Sequence, residues 1–342
     1  MVALSAAAAL VLTACSSGHV TPGRTITRTV VAPGGGSSTD GGIIGSSSAA
    51  GTPSSPSTSK STHSKPPKPK GLPVQVSSAV IGDGSQVGVG MPIILLLSRQ
   101  IKDAKAFATA TKVTVNGKVV HGGWFFERKY ADPGHPVEAD YRLQTYWPAH
   151  ASIHLDLPVK GVSAGNGLVF ANNLTLDFST GAAHILTVDN STHRLTVVSD
   201  GKVWGKFPVS LGYPNTPTRR GVKVIMEKGK DISMRGPGYF DPHVKFTQRL
   251  TYDGEYLHAA PWNCTGSSGC VGPQNNIGHA NSSNGCTNLT PTDAKKLYNF
   301  TEIGDVVKYP NADGPLMQLG DGYGDWNVPW PQWKTGGLYS LL

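Results

Sequence analysis

The side chain with the clearest capacity for covalent chemistry is Cys286, in the run Ser282-Ser283-Asn284-Gly285-Cys286-Thr287-Asn288. The chain holds four cysteines. With Cys15 set aside as a candidate lipidation site, Cys264, Cys270 and Cys286 remain, and an odd set leaves one thiol over. Cys264 and Cys270 flank a short Gly/Ser-rich stretch, where a disulfide closes easily and leaves Cys286 free. The alternative ties Cys286 into a structural bridge. Gly285 permits a tight turn or close substrate approach beside the thiol. A helix start follows at Thr290-Pro291-Thr292-Asp293, with an N-cap residue, a proline at N1 and an acid at N3. Its positive end is expected to lower the Cys286 thiol from the usual pKa of about 8.5. Backbone N–H groups of the same turn offer fixed dipoles to an oxyanion. A thiol nucleophile works best beside an imidazole. His258, after Tyr256-Leu257 and before Ala259-Ala260-Pro261-Trp262, is the candidate. His279 lies near Ser283 and reads as an exposed loop residue rather than a base. No His/Asp/Glu cluster with metal-ligand spacing stands out, so neither metal nor cofactor is expected.

These residues need a rigid frame, and the sequence supplies one built mostly of strands. Gly (42) and Pro (25) are plentiful and charged residues make up only 15%, a composition that favours strands and loops over long helices. Residues 72–181 show short apolar or alternating runs, among them Ile93–Leu97, Val113–Val115, Ile153–Leu157 and Leu174–Phe178. Asn116-Gly117 between two such runs predicts a two-residue hairpin. About seven strands at this spacing predict an antiparallel β-sandwich. A second strand-rich block, 182–310, carries Ile185–Val188, Leu195–Val198 and Val222–Met226, with tight turns at Asp200-Gly201 and Tyr252-Asp253-Gly254. One capped helix runs from Ala294 to about Thr301. Residues 311–342 form a tryptophan-rich end.

The N-terminus reads as an export signal. Val2 to Ala14 is apolar apart from Ser5 and Thr13, too short to span a bilayer as a helix, and it ends in Leu12-Thr13-Ala14-Cys15. Residues 16–71 are Ser, Gly, Pro and Lys-rich and read as a disordered tether. This arm holds six basic side chains against one acid, so it carries +5 of the chain's +8, and residues from 72 onward carry +3. A basic arm on a nearly neutral body suits an anionic envelope or lipid surface, and nucleic acid is not expected as a partner.

Taken together, His258, Ser283-x-Gly285-Cys286-x-Asn288, Ser210-Leu211-Gly212 with Thr216-Pro217-Thr218, and Gly324-Asp325-Trp326 through Trp333 resemble the L,D-transpeptidases, or YkuD-domain family. They look like its actinobacterial lipoprotein branch, whose immunoglobulin-like domain has a strand resembling Val87–Ile93. The resemblance implies an immunoglobulin-like β-sandwich at 72–181, followed by a β-rich catalytic domain with one or two short helices. It implies that Cys286 is the nucleophile and His258 its partner, with Ala259 orienting the imidazole through its carbonyl. Ser283, Gly285 and Asn288 would shape the loop, and Met234, Tyr239 and Phe240 would belong to a lid. The implied substrates are peptidoglycan tetrapeptide stems, joined 3→3 through diaminopimelate with release of D-Ala. Carbapenem β-lactams are the implied covalent inhibitors. A lipid on Cys15 would hold the enzyme at the outer face of the membrane.

Two departures from the family pattern stand out. Asn284 occupies the position where the family usually has histidine, which removes any acid or base there and leaves a weakened, wall-binding protein as the alternative reading. The 25 residues from His258 to Ser283 exceed the family's usual interval, and the excess falls around Cys264, Cys270 and Gln274-Asn275-Asn276, as part of a lid or as a surface insertion. Trp326, Trp330 and Trp333 read as a strap packed between the two domains rather than as a sugar platform.

Overall fold

The computed structural model describes residues 71–129, 132–236, 239–266 and 269–342. The expected export segment, Cys15 and the tether up to residue 70 lie outside the described residues. Among the described residues, no helix is long and apolar enough to cross a membrane.

Alternation of apolar and polar residues builds the first half. Ser152–Leu157 buries Ile153, Leu155 and Leu157 and turns the residues between them outward. This strand sits in a five-stranded sheet in the order Ser85–Val87, Leu174–Thr180, Ser152–Leu157, Lys112–Val115 and Lys118–Val120. A four-stranded sheet, ordered Val76–Ser78, Ile93–Leu97, Val137–Arg142 and Gly123–Arg128, supplies the other wall of the core. Phe107, Trp124, Phe126, Leu95, Leu155 and Phe178 fill the space between them, each burial worth roughly 1.5–3 kcal/mol. Asn116 and Gly117 take φ of 50° and 76°, both positive as a type I′ hairpin turn requires.

The purely antiparallel sandwich needs correction at its edges. Ser85–Val87 runs parallel to Leu174–Thr180, and Leu72–Val74 runs parallel to Leu168–Phe170. Both pairings join the start of the domain to its end, and local turn signals carry no information about such long closures. Val87–Ile93 is not one strand either: strands end at Val87 and restart at Ile93. Between them the Gly88 and Gly90 N–H groups donate to the carbonyls of Ile303 and Gly304, at 2.8 and 2.9 Å. A Cβ on Gly88 would collide with the Asp305 backbone, so glycine here lets the two halves touch main chain to main chain.

In the second half a five-stranded sheet has the order Lys202–Pro208, Arg194–Ser199, His184–Asp189, Val306–Tyr309 and Gly221–Val224. A four-stranded sheet follows, with Glu227–Gly236, Tyr239–Arg249, Tyr256–Ala259 and Thr287–Leu289 side by side. The helix Pro291–Phe300 packs on it through Ala294 and Leu297. Thr290 caps that helix, its Oγ1 accepting the Asp293 N–H at 3.2 Å.

The C-terminal segment binds both halves. Trp326 and Trp333 donate their indole N–H groups to the carbonyls of Gly90 and Gly123, each at 2.8 Å. The Asn327 side chain bonds both the N–H and the carbonyl of Val222. The strand register also builds a carboxylate cluster that the sequence spacing does not show: the antiparallel pairing of Gly123–Arg128 and Val137–Arg142 sets Glu127 directly opposite Glu138, with Asp140 two residues on.

Candidate active site

The site is organised by the pairing of Tyr256–Ala259 with Thr287–Leu289. They run parallel, with His258 opposite Asn288, so Cys286, two residues before Asn288, is carried to the same side of the sheet. His258, Cys286 and Asn288 accordingly line one cavity of about 390 Å³, together with Trp262 and Phe240. A larger cavity of about 660 Å³ adjoins it, bounded by Arg219, Arg249, Glu255 and Gly285. Met234, Tyr239 and Asn284 line both. Met234 and Tyr239 come from opposite strands of one long hairpin, Glu227–Gly236 and Tyr239–Arg249.

The turn before Cys286 is locked by its own hydroxyls. Gly285 has φ of 110°, a conformation an L side chain resists, although a Cβ there would meet its neighbours only at ordinary contact distances of 3.7–3.9 Å. Its N–H donates to Ser283 Oγ at 3.1 Å, and Ser283 Oγ donates to the Cys286 carbonyl at 2.6 Å. Thr218 Oγ1 donates to the Gly285 carbonyl at 2.8 Å. The Gly285 N–H is thereby spent on Ser283 and is withdrawn from any oxyanion.

Cys286 is a buried free thiol. Its S–H points to the Gly254 carbonyl at 3.5 Å. Burial pushes the thiol up to about 12, with the Glu255 carboxylate adding to the rise and the Tyr256 N–H opposing it. The expected lowering by a helix N-terminus is overturned: the strand Thr287–Leu289 stands between Cys286 and the helix, which begins only at Pro291. The dipole effect falls off within the first turn and does not reach the sulfur. His258 is held low by burial, and its Nδ1 lies 2.8 Å from the Ala259 carbonyl. That bond fixes the tautomer: Nδ1 carries the proton and Nε2 keeps its lone pair. The resting pair is a neutral thiol and a neutral imidazole.

Asn288 is anchored by main-chain bonds to Ser210 at 2.8 and 3.1 Å, while its Oδ1 is buried without a partner. Asn284 is exposed at the rim shared by the cavities. His279 is exposed and lines neither cavity. Cys264 and Cys270 form a disulfide. The described residues between 263 and 281 line neither cavity; their loop instead donates from Val271 and Gly272 to the Pro261 carbonyl and so backs the wall residue Trp262. Sequence reasoning missed the buried pair Lys223 and Glu255 behind Cys286, with Lys223 also 4.0 Å from the Tyr309 ring. A lysine within the apolar run Val222-Lys223-Val224 was the available signal.

A family model of the L,D-transpeptidase catalytic domain, YkuD, matches residues 183–308, and a bacterial Ig domain model matches residues 49–163. The chain is 31% identical over 264 residues to L,D-transpeptidase 2 of Mycobacterium tuberculosis, over 75% of this chain and 60% of that one. This chain belongs to the YkuD family of L,D-transpeptidases. It is also 30% identical to L,D-transpeptidase 5 of Mycobacterium tuberculosis, over 75% of this chain and 54% of the relative. This YkuD-family chain thus spans little more than half the length of these two relatives. The solved structure of an L,D-transpeptidase in complex with imipenem superposes with a TM-score of 0.54 at 26% identity, covering 69% of this chain and 98% of that one.

Proposed function

We propose that this protein is a cysteine acyltransferase that forms 3→3 cross-links between diaminopimelate residues of peptidoglycan stems. The observation that carries the reading is the neutral Cys286 thiol and the neutral His258, with a free Nε2, lining one cavity. Cys286 Sγ attacks the carbonyl between diaminopimelate and D-Ala while its proton passes to His258 Nε2, and the Tyr256 N–H favours the sulfur anion as it forms. The Cys286 N–H takes the oxyanion. The imidazolium returns the proton to the amine of departing D-Ala, leaving a thioester. The side-chain amine of a second stem attacks the thioester, loses a proton through His258 and restores the thiol. Water in place of that amine gives hydrolysis. The unpaired Asn288 Oδ1 fits an acceptor for a substrate N–H at the same cavity. Asn284 leaves His258 as the base, consistent with its position on the rim.

The accompanying organisation is a lipoprotein signal at 1–15 ending at Cys15, a tether at 16–71, an immunoglobulin-like domain at 72–181, a catalytic domain at 182–310 and a strap at 311–342. A lipid on Cys15 would place the catalytic body at the outer face of the cytoplasmic membrane, within the wall. Carbapenems are the expected covalent inhibitors. Intact-mass spectrometry after exposure to imipenem tests the reading. One adduct on the parent chain, absent from Cys286→Ala, is expected; a reduced, folded chain that gains no mass overturns it.

A further inference from the structure

The sheet face turned away from the first domain's core carries an unusual row of charges. Along Val137–Arg142 all six residues are buried, with Glu138, Asp140 and Arg142 alternating with the core residues Val137, Ala139 and Tyr141. Arg142 is partly provided for: its guanidinium donates to the carbonyls of Leu143 and Val328 and lies 4.3–5.3 Å from the rings of Trp326, Trp330 and Trp333, while its Nε has no partner. The acids are not. Glu138 faces Glu127 across the ladder, a like-charge pairing that destabilises a sheet. Lys129 pairs with Glu138. Asp140 is 2% exposed and its Oδ1 has no hydrogen-bond partner.

A fourth carboxylate arrives from a different part of the chain. Asp325 opens the C-terminal turn Asp325–Asn327, is 1% exposed, and also leaves Oδ1 unpartnered. It acts on Glu127 and Asp140 through its charge and responds to that of Glu138, which makes it a near neighbour of the cluster. Burial, with the neighbouring carboxylates adding to it, raises Glu127 to about 8, Asp325 to about 7 and Asp140 well above the usual carboxylate range. Unpaired carboxylate oxygens this deep are costly unless something answers them.

We propose that Glu127, Glu138, Asp140 and Asp325 form a binding site for a divalent cation of calcium type, which fastens the C-terminal segment to the first domain. The donors are all hard oxygens, with no histidine or cysteine among them, which selects calcium or magnesium over zinc. Coordination habit decides between those two. Ligand atoms of Glu127, Glu138 and Asp140 lie within 4.8 Å of one another, near enough to share one ion. Magnesium keeps several waters and takes one or two carboxylates, whereas calcium accepts six to eight oxygens, so a cluster of carboxylates favours calcium. The segment it would hold is already tied to the active-site side. Asp321 accepts the Asp253 N–H at 3.0 Å, within the loop whose Gly254 carbonyl receives the Cys286 thiol.

The test is calorimetric titration of the EDTA-treated full chain with calcium chloride, paired with thermal melts. One equivalent is expected to bind, with a heat that varies with the buffer because protons leave the carboxylates, and with a rise of several degrees in Tm. Magnesium should bind at least tenfold more weakly. Glu127→Gln/Asp140→Asn keeps the shapes while removing two charges; it should fold, melt at or above the parent in EDTA, and lose calcium affinity at least a hundredfold. Absence of both heat and Tm change on the parent up to about 10 mM calcium, beyond the range of weak extracellular sites, overturns the proposal. So does unchanged calcium binding in the double variant.

Discussion

Around Cys286 the chain supplies its own partners: Ser283, Thr218 and the Ala259 carbonyl tie down the turn and the imidazole. Near the C-terminal turn, Glu127, Glu138 and Asp140 lie close together, and the charge of Asp325 acts on Glu127 and Asp140. Both regions are buried, and in both burial favours the neutral form: Cys286 and Glu127 keep their protons, while His258 gives up its charge. The difference lies in where the unpaired atoms point. At the catalytic side the orphan is Asn288 Oδ1, on a residue that lines a cavity of about 390 Å³; at the other side the orphans are Asp140 Oδ1 and Asp325 Oδ1, set among further acids. An unanswered buried polar atom marks a place a ligand would fill, and its neighbours state the chemistry of that ligand.

The contrast can be broken most severely at the proposed base. His258→Ala should slow acylation of Cys286 by imipenem by about 10²–10⁴-fold, read as the rate of adduct formation, with the melting temperature little changed. An unaltered rate would show that the imidazole only fills space. Next in size is the turn. Ser283→Ala removes the hydroxyl that bonds both Gly285 and Cys286, a loss of about 1–3 kcal/mol that should appear as a roughly tenfold slower acylation and a lower Tm. If stability falls and the rate does not, the turn serves folding alone. The smallest effect sharpens the acidic side. The folded pKa of Glu127 is raised from 4.5 to about 8, so its contribution is fully present below about 4.5 and is lost as pH rises through 8. In EDTA the melting temperature should therefore decline between pH 6 and 9, and Glu127→Gln should flatten that decline. A Tm independent of pH would mean that the carboxylates do not repel one another as placed.

Much of the catalytic half was legible because its signals are local. Asp200-Gly201, Thr290 with Asp293, and the short Ser283–Asn288 segment each declare a turn, a cap or a site within a few residues. Legibility failed where register or distant closure decides. Nothing in the run Glu127…Glu138…Asp140 reveals that two antiparallel strands will bring the acids face to face, or that Asp325, far along the chain, will cover them. Lys223 and Glu255 meet for the same kind of reason. The misplaced helix effect on Cys286 came from a strand of three residues, Thr287–Leu289, too short to show a period. The glycines of Val87–Ile93 read as strand because their partner, the Gly304-Asp305 backbone, is more than two hundred residues away.

The depth of Cys286 has a consequence outside turnover. Peroxides and disulfide-forming reagents attack thiolates, and a sulfur held as thiol by burial offers almost none at neutral pH. An enzyme of this design standing idle in an oxidising compartment would keep its sulfur reduced, and with Cys264 and Cys270 already joined to each other, no neighbouring thiol in that loop is left to capture it. The same burial that slows the free sulfur is what preserves it until a substrate arrives.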